Sequence, residues 1–204
     1  MKHAKLLVPY YEHPVHRPAE WEALIAAAPR LYGVVINPAS GAGREPDPAF
    51  AEVAVRLREA GVPVLGYADT AYGRRSCADV TRDLRAHRAW YGVDGAFLDQ
   101  VPTAPEMFAH YQVLADAART AGARTLVLNH GAHPHPLYAR LADLLVSFEG
   151  PWDVYRALRP PADDHLCHLV YGAPPGAAVD TGVGCAVPGT GAHPWGTLPH
   201  GVAA

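Results

Sequence analysis

The chain has 204 residues, half of them hydrophobic and 18% charged, with a formal net charge of −3. That length supplies one sizeable core and is short for two. The slight acidic excess leaves no electrostatic footprint for nucleic acid, and the sequence has no apolar run long enough to span a membrane.

The N-terminal Met1-Lys2-His3 runs directly into an apolar stretch at residues 5–11, which reads as the first strand. No signal-type segment precedes it, so the chain as given is expected to be cytoplasmic, or secreted if a leader was removed. Further short runs rich in Val, Leu and Tyr follow at 32–37, 62–68, 95–100, 124–129, 144–148, 166–171 and 182–187. They are continuous rather than alternating, as strands buried on both faces are. Between them, 19–28, 47–60, 76–90 and 105–121 have helical spacing. The second ends at Gly61, and the fourth begins with Pro105 after Thr103.

Strand and helix alternate, which predicts a parallel sheet. Eight strands in this length predict a small (β/α)8 barrel of the TIM type, with a single domain over 1–204. Helices after the fifth and sixth strands look short. Between Pro174 and Thr181 there is almost no room for one, so the helix after strand seven is expected to be shortened or missing. Pro and Gly crowd an irregular tail from about residue 189. The dinucleotide fingerprint is missing after the first strand, and Gly41-Ala42-Gly43 lacks the Lys-Ser/Thr of a phosphate loop, so it reads as a turn.

Several segments in order resemble the spherulin-4 family (spherulation-specific family 4), from Leu6 to about Pro199. They are Leu7-Val8-Pro9-Tyr10, Val35-Ile36-Asn37-Pro38-Ala39-Ser40-Gly41, Val64-Leu65-Gly66-Tyr67 and Thr70-Ala71-Tyr72-Gly73. Trp90 through Asp99, Val127-Leu128-Asn129 and Pro194-Trp195-Gly196-Thr197-Leu198-Pro199 continue the pattern. The resemblance implies a (β/α)8 barrel related to fungal glycosidases that cut galactosamine-containing exopolysaccharide. It also implies acids at the ends of strands four and six, where Asp99 and Glu149 stand. The family's second acid at strand four is replaced here by Gln100. The strand-five motif reads Asn129-His130-Gly131 instead of Asn-Pro-Gly, and Asp69 departs from the pattern at strand three.

The residues themselves point the same way. Glycoside hydrolysis needs two carboxyl groups across the scissile bond, and Asp99 and Glu149 are the catalytic candidates. Glu149 follows Phe148, and an aromatic, partly dry setting there would raise its pKa. Gln100 hydrogen-bonds but cannot protonate a leaving group. Glu12, Asn37, Tyr67, Asp69, Gln100, Asn129, His130 and Tyr171 are candidate substrate-binding residues, with His130 also a group titrating near neutrality. Tyr10, Tyr67, Tyr72 and Tyr171 offer aromatic faces for stacking on a cationic amino sugar or another amine.

The His residues at 130, 133 and 135 are interleaved with prolines that splay the chain, so no metal or other cofactor is expected. The three cysteines form no CxxC pair and are expected to be buried thiols. The partner is expected to be a glycan or a small-molecule substrate. Three functions follow: an amino-sugar glycan hydrolase, a small-metabolite enzyme with a rebuilt mouth, or a carbohydrate-binding barrel without turnover.

Overall fold

A computed structural model describes residues 4–202. Eight parallel strands close on themselves in chain order. They are β1 (Lys5–Pro9), β2 (Leu31–Ile36), β3 (Val64–Asp69), β4 (Gly95–Asp99), β5 (Thr125–Asn129), β6 (Leu144–Pro151), β7 (Leu166–Tyr171) and β8 (Val183–Ala186). The ring closes where Lys5 of β1 meets Val183 of β8. Closure leaves no sheet edge, so a continuous apolar run is tolerated on every strand. The expected (β/α)8 barrel is the observed one.

Among the described residues, five α-helices surround it: α1 (Pro18–Ala26), α2 (Pro48–Glu59), α3 (Cys77–Tyr91), α4 (Phe108–Thr120) and α5 (Trp152–Leu158). Local chemistry fixes their ends. Asp47 caps α2 by accepting the Ala49 and Phe50 N–H groups, and Ser76 caps α3 by accepting that of Asp79. Gly92, at φ 62°, ends α3 in the left-handed conformation that glycine adopts without penalty. The expected helix at 105–121 is a 3₁₀ turn, Pro105–Met107, leading into α4.

Past β5 the helical layer thins. Among the described residues, only the 3₁₀ segment Pro136–Arg140 lies between β5 and β6, α5 has seven residues, and no helix lies between β7 and β8. The prolines there remove backbone donors that a helix needs. The tail is irregular but tied down. Gly172 N–H bonds to Gly189, Tyr11 N–H bonds to the Trp195 carbonyl, and Trp195, Leu198 and Val202 are buried.

Side chains alternate across each strand. Leu98 and Leu128 face outward, packing in one cluster with Leu84 of α3 and with Tyr111 and Leu114 of α4. Phe97, Asp99 and Asn129 therefore face the barrel interior and its mouth. One close approach fixes the β3 side. A Cβ on Gly66 would stand 2.5 Å from the His87 ring, so only glycine lets α3 seat this histidine on the sheet. His87 Nε2 then lies 2.8 Å from the Tyr67 carbonyl, anchoring the strand that carries Tyr67.

Candidate active site

The strand register brings the acids together. Tyr67 pairs with Phe97, Asp69 with Asp99, and Leu98 with Leu128, so Asp99 stands one inward position beyond the Tyr67–Phe97 pair and next to Asn129 at the neighbouring strand end. β6 runs on to Pro151, past the expected end at Phe148. It carries a register shift between Val146 and Phe148, after which Glu149 pairs with Leu169. That irregularity turns Glu149 to the inner face and Phe148 to the outer one, where its ring meets Tyr155 at 5.1 Å. The aromatic neighbour expected from Phe148 is thus corrected: strand alternation sends that ring away, and Trp195 from the tail takes its place. Trp195 Nε1 donates to Glu149 Oε1 at 3.0 Å.

Asn129 joins the two acids. Its amide nitrogen donates to Asp99 Oδ1 at 2.7 Å and to Glu149 Oε2 at 2.5 Å, while its carbonyl accepts the Gly131 N–H at 3.0 Å. With both acceptors on one nitrogen, the nearest carboxylate oxygens are no more than about 5 Å apart, the short spacing of the two known glycosidase geometries. Tyr67 donates its hydroxyl to Asp99 Oδ2 at 2.7 Å.

Burial raises the Asp99 carboxyl above the ordinary carboxylate range. The hydrogen bonds from Tyr67, the Gln100 backbone and Asn129 oppose this, and the Asp69 charge adds to it. Glu149 is raised too, first by burial and then by the Asp99 charge, against the donors Asn129 and Trp195. Burial and the same acids push the Tyr67 phenol far above its usual value, so it stays a donor.

A cavity of about 320 Å³ opens above this pair, lined by Tyr72, Asp99, Gln100, Asn129, His130, Gly131, Glu149 and Tyr171. A recess of about 70 Å³ adjoins it, sharing Asp99, Asn129 and Glu149 and walled by Tyr11, Tyr67, Phe97 and Trp195. Among the described residues, no Lys or Arg lines either space.

Of the expected binding residues, Tyr67, Gln100, Asn129, His130 and Tyr171 border these cavities. Glu12, Asn37 and Asp69 do not line them. Glu12 pairs instead with His193 at 3.2 Å and Arg17 at 3.8 Å, beside the tail. Asn37 accepts the Gly41 N–H at 2.8 Å and shapes the turn after β2. Asp69 accepts the Ala71 N–H at 2.6 Å and acts on the site through its charge.

His130 is not the near-neutral group expected. It is 8% exposed, with Nδ1 2.9 Å from the Pro102 carbonyl, and burial pushes its pKa down to about 4. The ring is therefore neutral at pH 7. Cys167 and Cys185 are buried as expected, whereas Cys77 is only partly so.

Of the tyrosines expected to stack on a sugar, Tyr67, Tyr72 and Tyr171 border the cavities, whereas Tyr10 is fully buried against Trp21. No role was foreseen for Tyr11 or Trp195. Trp195 lies 46 residues beyond its partner in a tail without periodicity, and only the Pro-Trp-Gly run marked it.

Fold and site together define an α/β barrel with two partly buried, amide-bridged carboxylates at the carboxyl ends of its strands, where barrel enzymes keep their chemistry. The chain matches the spherulation-specific family 4 (Spherulin4) over residues 5–184, and it belongs to that family. It is 32% identical over 150 residues to Spherulin-4 of Physarum polycephalum, an alignment covering 71% of this chain and 44% of that protein. The chain thus spans less than half the length of this curated relative.

Among solved structures, Aspergillus clavatus Sph3 in complex with GalNAc superposes with a TM-score of 0.86 at 24% identity, covering 99% of this chain and 95% of that one. The Bacillus cereus spore cortex-lytic enzyme SleL gives 0.56 at 10% identity, over 82% and 51%. A chitinase from Rhizomucor miehei gives 0.52 at 15%, over 86% and 73%. These likenesses show the shared barrel. Among the described residues, no helix is long and apolar enough to cross a membrane.

Proposed function

We propose that the protein hydrolyses a glycan containing amino sugars, with Asp99 and Glu149 as the catalytic carboxylates. The observation that carries this reading is the Asn129 amide, which holds both acids on one nitrogen inside a cleft. Two partly buried carboxyls this close titrate as a unit and retain a shared proton to higher pH than either would alone. Asp99, with three donors, keeps the charge better, and Glu149 keeps the proton.

Glu149 then gives its proton to the leaving glycosidic oxygen while an Asp99 oxygen attacks the anomeric carbon. The Glu149 carboxylate next takes a proton from the water that displaces Asp99, so configuration is retained. Tyr67 and Asn129 orient Asp99, and Trp195 orients Glu149. The two acids in the cleft and Asp69 beside it, with no Lys or Arg among the described lining residues, suit a neutral or ammonium-bearing sugar and disfavour a uronate. The GalNAc held by the Aspergillus barrel supports the same class of ligand.

The test is release of reducing ends from a galactosamine-containing polymer. Wild type should be active, and Asp99→Asn and Glu149→Gln should each lose at least about 10²-fold. A folded wild type that cleaves no such polymer sinks the proposal. Gln100, which offers no proton, favours one rival: a barrel that binds the glycan without turnover. Sugar binding by a wild type that releases no reducing ends would select it.

A further inference from the structure

Tyr72 stands apart from the other aromatic residues of the cleft. Tyr67 and Trp195 are buried, whereas Tyr72 is 52% exposed although it lines the cavity beside Gln100. Its backbone is costly. Ala71 and Tyr72 adopt φ of 48° and 56°, and Gln100, across from them on the next strand end, adopts 55°. None of the three is glycine, and the left-handed region is unfavourable for residues with a Cβ.

The strain is held by a specific set of bonds. Tyr72 N–H donates to the Gln100 carbonyl at 2.9 Å. Thr70 Oγ1 lies 2.8 and 2.9 Å from the Asp99 and Gln100 carbonyls and 2.6 Å from the Tyr111 hydroxyl. The exposed Arg74 guanidinium stands 5.8 Å from the ring centre, at the outer range of a cation–π contact. An exposed ring fixed this way gains little for folding, because it buries little apolar surface. Strain kept without a packing return marks a position held for a ligand.

We infer that Tyr72 is the aromatic platform of a second sugar subsite on the β3–β4 side of the cleft, with Gln100 as its hydrogen-bonding neighbour. The inference rests on the glycan reading above and adds where a further sugar unit sits. An aromatic ring offers its face to the apolar C–H surface of a pyranose, and a primary amide both donates to and accepts from hydroxyls. In this arrangement Gln100 replaces proton chemistry with recognition. Tyr171, at the end of β7, borders the same cavity from the opposite side of the barrel, so the carboxylates lie between the two rings.

The experiment measures binding of an N-acetylgalactosamine tetrasaccharide and of the monosaccharide by calorimetry, in an Asp99→Asn background that prevents turnover. Tyr72→Ala and Tyr72→Gly should each weaken the tetrasaccharide about tenfold, and Tyr72→Phe should stay close to the parent. The monosaccharide should bind all of them equally. The melting temperature of Tyr72→Gly should be unchanged or higher, since glycine relieves the strained φ, whereas a merely structural tyrosine would lower it on removal. Unchanged tetrasaccharide affinity in Tyr72→Ala, or an equal loss for both ligands, overturns the subsite and leaves the glycan reading standing. A parent that binds neither sugar overturns both.

Discussion

Replacing Asn129 by Ala removes the one nitrogen that serves both carboxylates and leaves each with fewer donors in a buried site. Hydrogen bonds to charged groups contribute about 1.5–3 kcal/mol each, and each pKa unit corresponds to about 1.4 kcal/mol. Losing one such bond at each acid should therefore raise each carboxyl by about one to two units. The sign follows from the chemistry: a donor stabilises the anion, so its loss makes the protonated form persist to higher pH. The acidic limb of kcat/KM, where Asp99 must ionise, and the alkaline limb, where Glu149 must keep its proton, should both move upward. The whole bell shifts to higher pH. Carboxyl ¹³C NMR titration of wild type and variant reads the same shift without substrate. Superimposable titration curves and an unmoved bell would refute the bridging role of Asn129.

Trp195→Phe keeps a ring but removes the N–H on Glu149, so only the alkaline limb of the pH–rate profile should rise, by about one unit. Gln100→Glu places a third carboxylate beside Asp99 and should move the acidic limb upward without raising the maximal turnover, as steady-state kinetics across pH will show; a large gain in turnover would mean that the pair lacks its acid. Gly66→Ala drives a Cβ against the His87 ring and should cost about 1–3 kcal/mol, read as a lower midpoint in urea unfolding. The rings of His87 and His130, both pushed down to about 4 by burial, should remain neutral from pH 5 to 8 in ¹H–¹⁵N spectra.

The barrel was legible because each strand announces itself as an apolar run bounded by turn residues, and because Pro and Gly mark where the last helices fail. Asp99 and Asn129 were legible for the same reason, since each closes such a run and alternation then points it inward. Glu149 was located, but its surroundings were not. The register shift in β6 has no sequence signature, so the orientation of Phe148 was open until the strand was seen. His130 looked like a near-neutral group because nothing in its immediate sequence reveals the Tyr138 ring 4.7 Å away or the burial that keeps it uncharged. Glu12 sits at a strand end like a site acid, yet the returning tail supplies His193 as its partner. Trp195 was beyond reach because it arrives from a distant irregular segment; Tyr72 was foreseen as a stacking face, but not the backbone conformation, seldom adopted by tyrosine, that presents it.

The division of labour between the two acids is tested most directly by trapping the reaction midway. A fluorinated glycosyl donor that forms the covalent intermediate quickly and releases it slowly should leave one sugar mass on the protein, and peptide mapping should place it on Asp99. A label on Glu149, or none on an enzyme that is turning over its natural polymer, would contradict the assignment.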